Sequence, residues 1–568
     1  MSALPGARVA KAAPLALVAI ILAACVLAAG SWRVYSNTWD EPEHLAAGIS
    51  LIDRGRYQYD TEHPPLGRLL LALPPYLAGA RAFGTPPPDG TREGVEILYS
   101  GGHYWRLLTL ARLGTLPFLA LLLVASWLWA RRLFASPGAA LLAVLLLTSV
   151  PPVLGHAALA SLDVAAAATI TLALYLLQVW MVTARTRDAA CFGLAAGAAV
   201  ATKFSGVPFI GLSLITLALV HALATRHLPP GAAAPARAAG ARARAGGLLL
   251  AGLVALVPLF LVYGPRAADP AGVAFRFNWA VSYLLQGTGV DHALGVLLSH
   301  LWLPRELREL VNGLVAVEAH NNTGHLSFLL GQVRQGGWWY FYLVALAVKT
   351  PIPLLAAGLF GLVWLAHEGW RRGDSWELAP LTVVLTILVF ASGFSRINIG
   401  IRHVLVLYSF LALGAAYTAL RLWRASAALR TPRALLLGRA GLLALAAWQL
   451  SALWTAYPDY LPYFNEAVAH PEQVLVDSDL DWGQDLYRLE LRAAQLRIPH
   501  LSLAYRGTAD LSREPLPPLY ILPPRQPVTG WVAVSQLART RNAEDYAWLG
   551  AWRPVERIGR TIDLYYIP

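Results

Sequence analysis

The strongest constraint on this chain is a succession of apolar stretches, each long enough to cross a bilayer. A helix needs about 20 apolar residues to span the hydrocarbon, and about eleven stretches approach that length. They fall near 13–30, 108–130, 138–154, 164–184, 189–205, 206–224, 247–264, 340–365, 378–394, 400–422 and 439–457. Only 14% of the 568 residues are charged, whereas 57% are hydrophobic, far from the balance of a soluble domain. The expected fold class is an α-helical polytopic membrane protein. The net charge of +12 does not indicate nucleic acid, because the arginines that produce it, such as Arg131, Arg132, Arg185, Arg187, Arg371 and Arg372, sit in short loops between spans. Basic loops mark the cytoplasmic side. The N-terminus is then cytoplasmic, and the first run, though preceded by Arg8 and Lys11, is expected to remain as an anchor. Cys25 and Cys191 fall inside apolar stretches, so no disulfide framework or cysteine metal knuckle is indicated.

This orientation puts three larger segments on the extracytoplasmic face: the loops 31–107 and 265–339, and the tail 458–568. The membrane domain is read as residues 1–457. The tail alternates short apolar strands, turns and one amphipathic helix, which predicts a small α/β domain outside the membrane. The segment 225–246, rich in Ala, Pro, Gly and Arg, reads as a flexible cytoplasmic linker. Gly193 and Gly197 form a G-x-x-x-G, best read as close helix packing.

Chemistry-bearing residues gather on the extracytoplasmic side. In "SNTWDEPEHLAAG" a helix start is expected, capped by Thr38 with Pro42 in its first turn. Leu45, Ile49 and Ile52 recur on one face, which predicts a helix lying along the membrane surface. Asp40, Glu43 and His44 then share one side of the first turn, where a helix N-terminus favours an ionised carboxylate. Further along, "YDTEHPPLGR" sets Glu62 and His63 before a double proline and Arg68 after it. Asp163 opens the fourth span, where capping is its ordinary role. Lys203 ends the fifth, placed to snorkel or to bind an anion. Glu318, His320, His325 and Arg334 precede a span that contains Lys349, and Arg402 and His403 open the tenth. Together these supply cations to hold a departing phosphate and carboxylates to take a proton from a hydroxyl.

The motifs "WDEPEH", "EHPPL", "SLDVA", "TKFSGVP" and "GIRHVLVLYSFL", in this order, resemble those of the GT-C glycosyltransferases that use polyprenyl-phosphate sugars, in the branch of the protein O-mannosyltransferases and the lipid A aminoarabinose transferase. The resemblance covers roughly residues 10–457, and the tail, with "DSDLDWGQDLYRL" and "LAYRGTAD", is similar to the C-terminal domain of bacterial members. It implies an inverting glycosyltransferase of the bacterial inner membrane. Asp40 matches the base, Glu41 its neighbour and Asp163 a second acid. His63 stands where the family has a lysine in its Glu-Lys-Pro-Pro motif. With Arg68, Lys203, Arg334, Lys349, Arg402 and His403, it is expected to hold the lipid phosphate. Glu62 and His325 match metal-binding positions, implying a divalent ion (zinc or magnesium). The implied partners are a polyprenyl-phosphate sugar and an acceptor that is a glycan, lipid or protein; neither a nucleotide cofactor nor nucleic acid is implied.

The run Asp477, Asp479, Asp481 imitates a D-x-D or calcium loop, but Trp482 and Arg488 stand where such a loop needs Gly and Glu. Its expected role is a strand-to-helix turn with Asp477 or Asp479 as cap. The competing function is a transporter or flippase of lipid-linked sugars, which would call for internal repeats and ionisable residues at mid-membrane.

Overall fold

The computed structural model describes residues 5–226, 241–264, 304–428 and 431–568. The proposed linker lies mostly in 227–240, and the first part of the second external loop in 265–303; both fall outside the described residues. Among the described residues, eight helices are individually long and apolar enough to cross a membrane: Ala12–Arg33, Tyr104–Phe134, Asp163–Thr183, Gly206–Arg226, Arg242–Tyr263, Ile352–Arg372, Ser375–Phe394 and Pro432–Ala456. A ninth candidate, Pro137–Thr148 with Pro151–Ala157, is bent by 71°. By length and composition, eight or nine of the eleven expected stretches therefore qualify as spans. The remaining two stretches are helical, but Thr186–Thr202 has only 17 residues, and Leu407–Ser426 carries Arg421 and Arg424 in its second half and buries most of its first. Both pack among the longer helices.

Gly193 and Gly197 act as small contact points. A Cβ on either would stand 2.3 Å and 2.1 Å from the carbonyl oxygens of Ala251 and Ala255. The helices Thr186–Thr202 and Ala241–Tyr263 can run this close only because those side chains are absent.

The helix Glu41–Arg54 differs from expectation in two ways. It begins at Glu41, with Asp40 at the N-cap position, and the Thr38 side chain accepts from no helical N–H: the Thr38 backbone N–H (2.7 Å) and hydroxyl (3.1 Å) donate to the Glu41 carboxylate. Nor is only a single face buried. Leu45 and Ile49 are buried as the pattern required, but so are Ala46, Ala47 and Gly48, because the helices Pro65–Leu77 and Gly90–Tyr99 cover its other sides. Small residues permit that burial: a Cβ on Gly48 would meet the Arg68 carbonyl at 2.3 Å.

After Ala456 the chain forms a small α/β unit. Its strands β3 (Leu501–Ala504), β4 (Leu519–Ile521), β5 (Gly530–Ser535), β6 (Glu556–Ile558) and β7 (Ile562–Ile567) follow a hairpin of β1 (Leu326–Leu329) and β2 (Gln332–Gln335). The sheet order is β4-β3-β5-β7-β6, with β3 parallel to both neighbours and β7 antiparallel to both of its own. Period-two alternation builds a core on each face. Leu501, Leu503, Ala533, Ile562 and Leu564 meet Leu486, Leu489 and Ala493 of the helix Leu486–Gln495, while Ala504, Val532, Val534, Tyr565 and Ile567 pack on the other side with Ala538 and Leu549.

The run Asp477–Asp481 caps no helix. Asp485 occupies the N-cap position of the following helix; the Asp479 carboxylate accepts from Ile401 N–H at 3.1 Å and that of Asp481 from Leu537 N–H at 2.7 Å. The acidic run is a fastener between the bundle and the α/β unit. Lys349 strengthens it: buried, it donates to the carbonyls of Leu461 (2.9 Å) and Asp479 (2.5 Å).

Candidate functional site

The segment Ser36–Asp40 is clamped from two directions before any site geometry arises. The α/β unit holds its backbone, since Ser36 N–H donates to the Gln484 carbonyl (2.9 Å) and Trp39 N–H to that of Trp482 (3.0 Å). The bundle holds Glu41. Arg112 donates to both carboxylate oxygens at 2.8 Å, and Ala160 N–H donates at 2.8 Å. Glu41 and Arg112 are both 1% exposed, and the Glu41 oxygens are fully engaged. A buried carboxylate so engaged is a support, and Glu41 lies outside the lining of the cavity described next.

That cavity has a volume of about 980 Å³. Its polar wall carries Asp40, Glu62, His63, Lys203, His325, Arg402 and His403 of the residues expected from the sequence, together with Glu43 and His44. Its apolar wall comes from Phe204, Val207, Phe209, Leu314, Phe390 and Phe394, contributed by the spans Gly206–Arg226 and Ser375–Phe394 and their neighbours. A single space thus has an oily side continuous with membrane helices and a charged side built from loops, a short turn and the start of the helix Glu41–Arg54.

Asp40 is 25% exposed and accepts a 2.6 Å ion pair from Arg402 Nη1. Arg402 also faces Asp163 (3.7 Å) and lies 4.4 Å from the centre of the Trp482 ring. Burial disfavours its charge, but Asp40 and Asp163 outweigh this and raise its pKa. Asp163 stands behind the wall, nearly inaccessible, and receives Lys203 Nζ at 2.7 Å. It opens its helix one residue after the N-cap position, held by Leu162, and its side chain is aimed at Lys203. The simple capping role is replaced by this pairing.

A second cluster surrounds Asp60. His63 Nδ1 lies 3.1 Å from its carboxylate, and Arg68, fully buried, pairs with the same carboxylate and lies 3.3 Å from His44 Nδ1. Burial would raise the Asp60 pKa, yet Arg68 and His63 hold it well below the carboxylate range. His44 is driven well below its usual value by burial and then by the Arg68 charge. Beside this cluster the Glu43 carboxyl is pushed up to about 7, by burial first and then by the negative charge of Asp60.

Arg68 is therefore one layer behind the cavity. Lys349 is the fastener described above, and Arg334 lies on the exposed strand β2, outside the lining. Sequence reasoning did not identify Asp60, Asp477 or Arg541 as lining residues. Asp60 could have been found two residues before Glu62, in the same turn. Arg541 belongs to a helix of the α/β unit with no local motif, and no nearby signal marks it.

The residues expected to bind a metal were tested against their surroundings. Glu62 and His325 both line the cavity. The Glu62 carboxylate is bonded to His320 Nδ1 at 2.7 Å, which raises the His320 pKa, and Arg541 Nη2 stands 3.3 Å from His325 Nε2. Among the described residues no three His, Cys, Asp or Glu side chains form a group able to hold a metal ion. The arrangement does not fit a metal cage, and no chemical step is derived through one.

Fold and site together define a multi-pass membrane protein whose loops and C-terminal unit enclose one amphipathic, acid–base-lined cavity. Residues 18–233 match the family of dolichyl-phosphate-mannose-protein mannosyltransferases. This agrees with the resemblance to GT-C enzymes drawn from the motifs, and it includes Asp40, Glu62, His63, Asp163 and Lys203. No curated protein matches the chain. Among solved structures, it is similar to ArnT from Cupriavidus metallidurans bound to undecaprenyl phosphate, at 15% identity and a TM-score of 0.46, covering 96% of this chain and 97% of that one. It is also similar to the apo oligosaccharyltransferase of Archaeoglobus fulgidus, at 14% identity and a TM-score of 0.47, covering 85% of this chain; the chain spans 58% of that protein's length.

Proposed function

We propose that the chain moves a sugar from a polyprenyl phosphate to an acceptor hydroxyl at the extracytoplasmic face of the membrane, in one inverting displacement. The observation that carries this reading is the cavity itself: Asp40 and its cationic partners on one wall, apolar side chains of membrane helices on the other. An oily donor with an anionic head needs both walls, and a watery acceptor needs the open loop side.

In this scheme Asp40 takes the proton of the acceptor hydroxyl as its oxygen attacks the anomeric carbon. The bond from that carbon to the phosphate oxygen breaks, and the electron pair leaves on the polyprenyl phosphate. Lys203, Arg402 and His63 line the space where that charge grows, and His403 stands beside them. Asp163 keeps Lys203 and Arg402 oriented from behind. Glu41, Arg68 and Lys349 support the wall without touching the substrate.

The charged groups cluster at one end of the bundle, which supports an enzyme over a transporter. The test is to incubate purified full-length protein in nanodiscs with a panel of undecaprenyl-phosphate sugars and envelope extract. Transfer of sugar with stoichiometric release of undecaprenyl phosphate is expected. Movement of labelled lipid between leaflets of proteoliposomes, without release, would support the flippase instead.

A further inference from the structure

Two acidic and two basic side chains on the outer wall of the cavity pair internally. Arg402 is matched by Asp40 at 2.6 Å, and Arg541 by Asp477, also at 2.6 Å. The second pair comes entirely from the tail, and its position is fixed. Ser478 Oγ donates to the Ile399 carbonyl at 2.5 Å, and Asp479 accepts from Ile401 N–H at 3.1 Å, so the helical turn Asp477–Asp479 rides directly on the segment that carries Arg402. Asp481, fully buried, receives Leu537 N–H at 2.7 Å and so sets the short helix that ends in Arg541. Asp477 and Arg541 remain about one-fifth exposed, and both face the cavity. Trp39, the residue before Asp40, lines the same space and is 39% exposed.

We propose that the C-terminal α/β unit completes a donor-sugar subsite, in which Asp477 and Arg541 hydrogen-bond the hydroxyls of a neutral sugar ring that rests against Trp39 beside Asp40. This rests on the glycosyltransferase reading and names the sugar class it serves. Arg541 can only donate and ionised Asp477 can only accept, whereas a sugar hydroxyl does both, so the pair fits adjacent hydroxyls. An aromatic face suits the C–H side of a pyranose. The two pairs leave this wall without net charge. A uronic acid or an amino sugar would bring a charge that neither pair can meet without giving up its own ion pair, at a cost that an uncharged hexose avoids.

The test measures binding of undecaprenyl phosphate, undecaprenyl-phosphate mannose, and undecaprenyl-phosphate derivatives of a uronic acid and an amino sugar to the full-length protein in nanodiscs. Wild type is expected to bind the mannose lipid about tenfold more tightly than bare undecaprenyl phosphate, the scale of one good hydrogen-bonded contact, and to bind neither charged derivative more tightly than the bare lipid. Arg541→Ala and Asp477→Ala should remove the advantage of the sugar while leaving affinity for bare undecaprenyl phosphate unchanged. Asp477→Asn, which keeps the shape, should lower the advantage in the same sense and serves if the alanine variants do not fold. A sugar advantage that survives in these variants, or one that is larger for a charged sugar, would overturn the subsite. A parallel loss of affinity for the bare lipid would reduce the pair to a structural tie. No binding of bare undecaprenyl phosphate by wild type would instead overturn the donor reading itself, and the subsite with it.

Discussion

Asp40 and Glu41 are adjacent in the chain and opposite in environment. Asp40 opens to the cavity against Arg402, whereas Glu41 is sealed beneath it against Arg112. Their substitutions should therefore separate. Removing one partner of a buried, hydrogen-bonded pair leaves a charge without compensation and costs about 3–5 kcal/mol. Glu41→Ala or Arg112→Ala is expected to lower the melting temperature of the purified protein markedly, with any loss of transfer following from that. Unchanged melting with abolished transfer would contradict the supporting role. Inversion is a prediction at the same scale, because a single displacement at the anomeric carbon leaves no covalent sugar–enzyme intermediate. Product analysis by NMR should show the anomeric configuration opposite to that of the donor, and retention would reject the proposed step.

The helix Glu41–Arg54 carries the expected pH response. Glu43 is protonated in the folded state up to about pH 7, well above the 4.5 of an ordinary glutamate. The stability this supplies is complete below about pH 4.5 and is lost as the pH rises through about 7. Glu43→Gln is expected to flatten the fall in melting temperature across that window, and a variant that tracks wild type throughout would contradict it. The helix pair joined at Gly193 and Gly197 makes a steric prediction. Gly197→Leu drives a side chain into the Ala255 carbonyl and should destabilise by at least the 1–3 kcal/mol typical of overpacking, read as a lower melting temperature. Helices of this kind were legible in the sequence, because apolar length and spacing are local. So were Asp40, Lys203 and Arg402 as candidates, each inside a compact motif at a helix end. What could not be read was pairing over distance: Glu41 with Arg112 lies 71 residues away, Asp477 with Arg541 64, and Asp40 with Arg402 362. For the same reason Lys349 read as a phosphate ligand and Asp477 as a cap. Each residue type suited that role, but the partner that decides its use arrives from elsewhere in the chain.

For the whole molecule, the proposed function places the α/β unit and the cavity on one side of the membrane, opposite the basic loops. Reporter cysteines at exposed positions test this. A membrane-impermeant maleimide applied to intact spheroplasts should label Glu544→Cys in the tail and spare Arg187→Cys, just past the end of the span Asp163–Thr183; the reverse pattern would invert the topology. In the proposed reaction a lipid-linked sugar is transferred in this cavity with Asp40 as the base. The most direct measurement is single-turnover sugar transfer by wild type and a folded Asp40→Asn variant, using in nanodiscs the undecaprenyl-phosphate sugar that wild type accepts. Loss of a positioned base typically costs about 10²–10⁴-fold in rate, so the variant should bind donor normally and transfer at least a hundredfold more slowly. Transfer at the wild-type rate in that variant would contradict the account.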